Sequence, residues 1–174
     1  TTATVAAAYT AGVGEVRFEG STAYTVDATG GRLDVADGGA LTNTSTALQT
    51  VDVPIVAHGA ALTIDAGAVP GGGFLFGTDA TFDLSDTGGV ALTVTGANDT
   101  TLAGVLSGTG GRLVKEGAGT VTLTAANTYT AGTTLADGRL VAADHEALGT
   151  GPLTVTGPAA LEQGPGTTVL ANDV

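Results

Sequence analysis

The stretch GTGGRLVKEGAGTVTLTAANTYTAGTTLADGRL, residues 108–140, shows most clearly how this chain folds. It divides into short runs in which apolar and polar residues alternate, and glycine, asparagine or aspartate separates the runs. Side chains of a β-strand alternate between two faces, so each run predicts a short strand with one apolar face. The predicted strands are GRLVK at 111–115, GTVTLT at 119–124, TTLADG at 133–138 and GRLVAA at 138–143.

Runs of the same kind cover the rest of the chain. They are GRLDV at 31–35, ALTN at 40–43, VPIVA at 53–57, ALTIDA at 61–66, GFLF at 73–76, ATFDL at 80–84, VALTVT at 90–95, TLAGVL at 101–106 and PLTVTG at 152–157. The one helix-friendly segment, DHEAL at 144–148, is short, and glycine is too frequent elsewhere for helices to be stable. The sequence therefore predicts an all-β protein.

A leucine in the phrase Gly, spacer, Leu, polar, Val or Ile recurs along the chain. Its positions are 41, 62, 92, 113, 135 and 153, at intervals of 21, 30, 21, 22 and 18 residues. A period of about 20 residues is typical of a β-solenoid, in which each coil has three short strands and three turns. The long interval predicts one larger loop, for which PGGGF at 70–74 is the best candidate.

We therefore predict a parallel β-helix of roughly eight coils that forms a single unit over residues 1–174. Neither end shows a polar capping element, and TTVLANDV at 167–174 resembles part of another coil, so we expect a segment without its own caps. The alternative is an immunoglobulin-like sandwich, which needs longer strands and a large aromatic residue in its core. Neither feature is obvious in the sequence.

The composition excludes several classes of function. There are 29 glycines, no cysteine and no tryptophan, so small aliphatic side chains must form most of the core and no disulfide or thiolate chemistry is available. The net charge of −12 argues against binding to nucleic acid or to an anionic membrane surface. No apolar run reaches the roughly 18 residues of a membrane-spanning helix, and the first residues lack the features of a signal peptide.

Residues 108–140 resemble the passenger-associated transport repeat of bacterial autotransporters. That pattern runs Gly-x-Gly, Leu-x-Lys, Gly-x-Gly-Thr, alternating Leu and Thr, Asn-x-Tyr, Gly-Thr-Thr and Gly-x-Leu. The matching residues are Gly108, Leu113, Lys115, Gly117, Gly119, Thr120, Leu123, Asn127, Tyr129, Gly132, Thr133, Gly138 and Leu140. The chain departs from the pattern at Ala126 and Ala131, where glycine is usual, and residues 147–157 resemble the coil that commonly follows.

The resemblance implies a right-handed parallel β-helix, export to the cell surface of a Gram-negative bacterium, and a C-terminal outer-membrane β-barrel in the full-length chain. In such families the repeat is thought to assist translocation. Within the motif we expect Lys115 and Glu116 to form an exposed pair, Asn127 to bond neighbouring backbone in an internal turn, and Tyr129 to supply one of the few aromatic contacts.

Residues that could carry chemistry are few. His58 follows a strand in a VAHG turn, and His145 lies between Asp144 and Glu146; we interpret both as residues of solvated turns. Asp79, Asp83 and Asp86 are close in sequence, and strand alternation would place the first two on one face. They could bind a weak Ca²⁺ or act as paired acids, although acids on an outer face are usually only solvated.

Nucleophile and phosphate motifs are missing. The serines 21, 45, 85 and 107 do not lie in a Gly-x-Ser-x-Gly motif, and PGGGF lacks the lysine of a phosphate-binding loop. Threonines such as those of TLT and TVT could form a flat outer face like that of ice-binding solenoids, but they are not in strict register along the sequence. We therefore predict no catalytic residue, metal or cofactor.

Three functions are consistent with this sequence. We favour a non-enzymatic stalk that contributes to adhesion or self-association, in aggregation or biofilm, by contact with like passengers or with a host protein or glycan. The alternative is part of a secreted carbohydrate-active or proteolytic passenger, which would need two or three carboxylates in one concave groove. A third possibility is a spacer that promotes secretion.

Overall fold

The structure is a computed structural model that describes residues 2–5, 13–28 and 30–165. It is a parallel β-solenoid, because every strand pairs in parallel with a strand of the neighbouring coil. The all-β parallel β-helix predicted from the sequence is confirmed. Within the described residues, no helix is long and apolar enough to cross a membrane. The residues that suggested missing caps lie mostly outside this part of the chain.

Sheet 1 receives one strand from each coil. Its strands are β1 (Thr2–Val5), β3 (Thr25–Ala28), β5 (Leu48–Asp52), β8 (Gly73–Phe76), β11 (Thr100–Leu102), β14 (Thr120–Leu123), β16 (Gly138–Ala142) and β18 (Ala159–Gln163). Six complete coils separate β3 from β18. The prediction of roughly eight coils was therefore slightly too high for the described residues.

Two further ladders run along the solenoid, and the long, bent strand β4 (Leu33–Asn43) belongs to both. Sheet 2 contains the start of β4, β6 (Ile55–Ala57), β9 (Phe82–Asp83) and β12 (Leu106–Ser107). Sheet 3 contains β2 (Val13–Phe18), the end of β4, β7 (Ala61–Asp65), β10 (Ala91–Thr95), β13 (Arg112–Lys115), β15 (Thr133–Leu135) and β17 (Leu153–Val155). A single 3-10 turn, Asp86–Gly88, is the only helical segment described.

The coils become shorter toward the C-terminus. Residues paired across sheet 1 are 25 or 26 positions apart in the first three coils and 19 to 21 apart in the last three. Part of the difference lies in a longer loop at residues 66–72, which overlaps the loop predicted at 70–74; Gly73 and Phe74 of that prediction belong to β8. A second part is the 3-10 turn between β9 and β10. In the last two coils, turns take the place of a strand of sheet 2.

The core is aliphatic with one aromatic cluster. Phe18, Phe74, Phe76 and Phe82 are all buried, and successive ring centroids in this order lie 5.7, 5.3 and 5.3 Å apart. Such ring pairs stabilise beyond the area that they bury. A large aromatic residue in the core was not obvious from the sequence, so its absence could not have excluded the sandwich; the parallel strand pairing does.

The repeated leucines belong to two inward columns of sheet 3 and not to one. Leu62, Leu92 and Leu113 pair directly, whereas Leu41 pairs with Ile64, and Leu135 pairs with Lys115. The two columns are two residues apart along each strand, so both point inward. The leucine intervals read from the sequence therefore combined residues of both columns. Lys115 occupies a position of the second column, and the intervals did not show this.

The outer face of sheet 1 carries a column in strict register. It runs Thr25, Thr50, Leu75, Thr101, Thr122, Val141 and Glu162. Sheet 3 carries a similar column, Thr63, Thr93, Val114, Thr134 and Thr154. The expectation that the threonines lack register was wrong, because unequal coil lengths conceal the pairing in the sequence. Leu75, Val141 and Val114 interrupt the rows of hydroxyls.

Thr100 provides a test of the inward ladder. Its Oγ1 is buried between Phe74 and Val121, and no hydrogen-bond partner for it is found among the described residues. Replacing Thr100 by Val keeps the shape and removes a desolvated hydroxyl, so we expect the free energy of unfolding in urea to rise by about 1 kcal/mol.

Thr133→Val is the matched control for this substitution. Thr133 is equally buried, but its hydroxyl contacts Tyr129 Oη at 2.6 Å and donates to the carbonyl of Leu148 at 3.2 Å. The same change there should lower the free energy of unfolding by about 1 kcal/mol or more. Equal effects at both positions would contradict the assignment of Thr100 as unsatisfied.

Candidate functional site

The residues of the predicted repeat form two stacked coils. β13 pairs with β15, and β14 pairs with β16, so the stretch folds back upon itself in register. The buried motif residues are Leu113, Lys115, Gly119, Leu123, Asn127, Tyr129, Gly132, Thr133 and Leu140, and the partly exposed ones are Gly108, Gly117, Thr120 and Gly138. The structure therefore places the motif mainly inside the solenoid, where it holds the coils together.

Lys115 is the main surprise. Its side chain is 1% exposed and lies between Val94 and Leu135 in an inward column of sheet 3. The Nζ atom donates to backbone carbonyls, whereas Glu116 points its exposed side chain away from the core. The predicted exposed pair of Lys115 and Glu116 is wrong. Strict alternation in GRLVK was the signal, since it places Leu113 and Lys115 on the same face.

Asn127 confirms the predicted internal turn. It is 2% exposed; its Oδ1 accepts from the amide of Leu106 at 2.8 Å, and its Nδ2 donates to the carbonyl of Ala147 at 2.5 Å. One side chain thus connects the coil before it with the coil after it. These contacts satisfy backbone groups where the strand of sheet 2 is replaced by a turn.

Tyr129 has a different role from the expected one. It is fully buried, and the aromatic ring pairs that the structure describes involve Phe18, Tyr24, Phe74, Phe76 and Phe82 instead. The Tyr129 hydroxyl bonds Thr133 Oγ1 at 2.6 Å. Burial raises the pKa of this phenol far above its usual value, so it stays neutral. The ring fills the interior, and its hydroxyl has a partner.

A second polar cluster surrounds His58, which directly follows β6 of sheet 2. Its Nε2 lies 2.9 Å from Asp34 Oδ1 and its Nδ1 lies 3.6 Å from Asp86 Oδ2, so the ring bridges the preceding and following coils. Asp34 is buried, and its Oδ2 also accepts from Arg32 at 2.9 Å. The solvated turn predicted for His58 is only half correct, because 44% of the side chain is exposed and the rest is held in place.

Burial alone would raise the pKa of Asp34. The hydrogen bonds from Arg32 and His58 outweigh burial, so the pKa lies below its ordinary value. For Asp86, the hydrogen bond from the Gly59 amide is the largest cause of a lowered pKa. Both carboxylates are therefore ionised at neutral pH and fixed by donors of the fold.

The predicted acid pair does not assemble as the sequence suggested. Asp79 lies in a turn and not on a strand, Asp83 lies on β9, and Asp86 begins the 3-10 turn. Asp83 Oδ1 accepts from both the amide and the hydroxyl of Ser85, at 3.0 and 2.6 Å. Asp83, Ser85 and Asp86 line a shallow cleft of about 240 Å³ beside His58. The expectation that Asp79 and Asp83 share a strand face was wrong.

The remaining candidate ligands and nucleophiles do not form a recognisable site within the described residues. Within the described ranges, no group of three His, Cys, Asp or Glu side chains is placed to hold a metal ion. Ser45 bonds Asn43 Oδ1, and Ser107 donates to the carbonyl of Phe82. His145 is exposed in the turn at 144–148, as the sequence predicted, 3.4 Å from Asp144 and 3.8 Å from Glu146.

Much of the acidity of the chain caps backbone amides at the corners between strands. Asp37 accepts from Ala60 and Ala61, and Asp99 accepts from Thr120. Asp52 likewise accepts from Asp79 of the following coil. In each case a carboxylate on one coil fixes the backbone of the next coil. Asp86 reaches the opposite way, to the Gly59 amide of the preceding coil. These acids therefore help to stack the solenoid.

Comparison with known families supports the same segment. Residues 113–142 match the family model of the passenger-associated transport repeat. No curated protein matched the chain, and neither did any solved structure. The repeat and the parallel β-solenoid fit an autotransporter passenger, a class that is secreted to the cell surface through the outer membrane. The resemblance seen in the sequence is confirmed for this segment.

Asn127→Ala tests the polar connection between the coils. The change leaves the Leu106 amide and the Ala147 carbonyl without their partner in a buried position. We expect the free energy of unfolding to fall by about 2–4 kcal/mol in urea titrations. Asn98→Ala is the control, because Asn98 also donates to two carbonyls, of Ala66 and Val69, from a less buried position, and should cost less. Equal losses would count against the role of burial.

Because of the contacts of Asp34, we expect the free energy of unfolding to fall in acid. A carboxyl whose folded pKa is depressed stabilises the fold above its unfolded pKa, and that contribution disappears as the pH falls through the folded pKa. Asp34→Asn should therefore lower stability at pH 7 by about 1–3 kcal/mol and flatten the decline below about pH 4. Thermal unfolding from pH 7 to pH 2 measures this, with exposed Asp79→Asn as control. An unchanged acid limb in Asp34→Asn would exclude this explanation.

Proposed function

We propose that this chain is a non-enzymatic β-helical segment of a surface autotransporter passenger that mediates adhesion or self-association. The carrying observation is that the transport repeat is built into two coils of a continuous solenoid and contributes its motif side chains to the interior. Its outer surface is then available for many weak contacts spaced by the coil repeat.

The distribution of charge supports contact between rods. The chain has a net charge of −12, yet on sheet 1 the outer column from Thr50 to Val141 carries no charged residue. Asp27 and Asp52 lie on the same face, two residues further along β3 and β5, so two copies meet the least like-charge repulsion if they contact each other along the part of the column from Leu75 to Val141. The column is also regular, because its members are paired residues of a parallel ladder.

Cell aggregation tests the proposal. The full-length protein is displayed on cells with and without residues 1–174, and settling is measured at equal surface amounts. We expect the deletion to reduce aggregation strongly. A second variant with Thr101→Glu and Thr122→Glu adds charge to the outer column of sheet 1 and should also reduce settling. If both variants aggregate like the parent, the segment is a spacer.

We further propose that the repeat supports passenger folding during secretion. Its two coils contain buried polar contacts, of Lys115 and Asn127, that join successive turns of the chain. Deletion of residues 108–140 should therefore lower the amount of passenger at the surface, measured by antibody binding to intact cells. Deletion of residues 61–90, a segment of similar length without the repeat, is the control. Unchanged display after removal of 108–140 would contradict this role.

A further inference from the structure

Three backbone carbonyls converge on the ammonium of Lys115. Nζ donates to the oxygens of Glu116 at 2.7 Å, Gly117 at 2.6 Å and Asp137 at 3.1 Å. The first two belong to the corner after β13, and the third belongs to the equivalent corner one coil later. An ammonium has three protons to donate, so its donor capacity is filled.

The backbone leaves space for this cation and for little else. Gly138 has φ of 69°, and a Cβ built on it would overlap the Gly117 carbonyl and approach Lys115 Nζ to 2.8 Å. The carbon stem of Lys115 continues the apolar column between Val94 and Leu135. The head thus lies among carbonyls and the stem lies among aliphatic side chains.

The charges around the site match a cation. Burial lowers the pKa of the Lys115 ammonium. The nearby carboxylates of Asp137, Asp99 and Glu116 oppose this shift, because they favour the charged form. Two of these acids also accept from backbone amides, Asp99 from Thr120 and Asp137 from Gly138. This corner additionally presents a cluster of carbonyls, which requires a donor or a cation.

We propose that the corners after β13 and β15 form a cation site that Lys115 fills with its own tethered ammonium, and that this cation fixes the register of the two coils of the repeat. The ligand class is a primary ammonium. When the side chain is shortened, the same site takes up a free alkylammonium ion of matching length. Lys115 is thus a positioning residue of the fold. This inference concerns the interior of the solenoid and does not depend on the proposed role in adhesion.

Chemical rescue tests the site. Lys115→Ala removes three carbons and the nitrogen, which propylammonium replaces. We expect Lys115→Ala to lower the urea midpoint and propylammonium to restore most of that loss. Propanol at equal concentration should restore little, because it lacks the charge. Lys115→Met fills the space without a cation, so it should also be destabilised and should not respond to propylammonium.

Controls separate the site from general solvent effects. Propylammonium must raise the midpoint of Lys115→Ala more than that of the parent chain or of Arg139→Ala, whose side chain is on the surface and paired with Glu162. Equal shifts in all variants would overturn the proposal, and so would a Lys115→Met chain as stable as the parent. If Lys115→Ala is unfolded, propylammonium should recover its β-sheet circular dichroism, and failure to do so counts against the site.

A measurement on the unaltered chain is also decisive. Lys115 is the single lysine in the sequence, so an amine-reactive ester reports only on its Nζ and on the terminal amine. We expect Nζ, measured relative to the terminal amine, to react at least about tenfold more slowly in the folded chain than in the chain unfolded by urea, because attack requires local opening. The terminal amine corrects for any effect of urea on the reagent. An Nζ rate that urea leaves unchanged would overturn the buried ammonium.

Discussion

The parallel backbone ladder is the constraint on which the whole structure depends. Each strand bonds to a strand one coil earlier and one coil later, so coils of 19 to 26 residues must present their strands in common register. Strands satisfy their own amides and carbonyls in this way, but corners do so only in part. The solenoid therefore also depends on side chains at the corners, among them many of its aspartates.

Two kinds of corner contact occur. Carboxylates such as Asp37 and Asp99 accept from exposed amides of the next coil, whereas Asn43, Asn98, Asn127 and Lys115 donate to carbonyls. Part of the large acid surplus of the sequence thus has a structural role, because these carboxylates bond backbone amides of neighbouring coils. The outer column of sheet 1 from Thr50 to Val141 carries none of these acids, and it is the surface that we propose faces a like-charged neighbour.

The sequence predicted the fold and the repeat because both depend on local alternation and on glycine spacing, which are visible in one dimension. It did not predict which leucines stack, since Leu41 and Leu135 belong to a different column from Leu62 and Leu113. Because the two columns were not distinguished, Lys115 was predicted to be exposed. The alternation in GRLVK nevertheless places Lys115 on the same inward face as Leu113. The contacts of His58 with Asp34 and Asp86 could not be foreseen, because they join residues of three coils.

The shortening of the coils has a mechanical consequence. A coil of 25 residues advances the rod by only about 4.8 Å, while the same residues stretched out span about 85 Å. A chain pulled from its N-terminal side would release about 80 Å for each long coil, but only about 60 Å for each coil of the repeat. Among the described coils, those of the repeat therefore release the least chain length when they detach from the rod. The buried polar contacts of Lys115 and Asn127 resist this detachment.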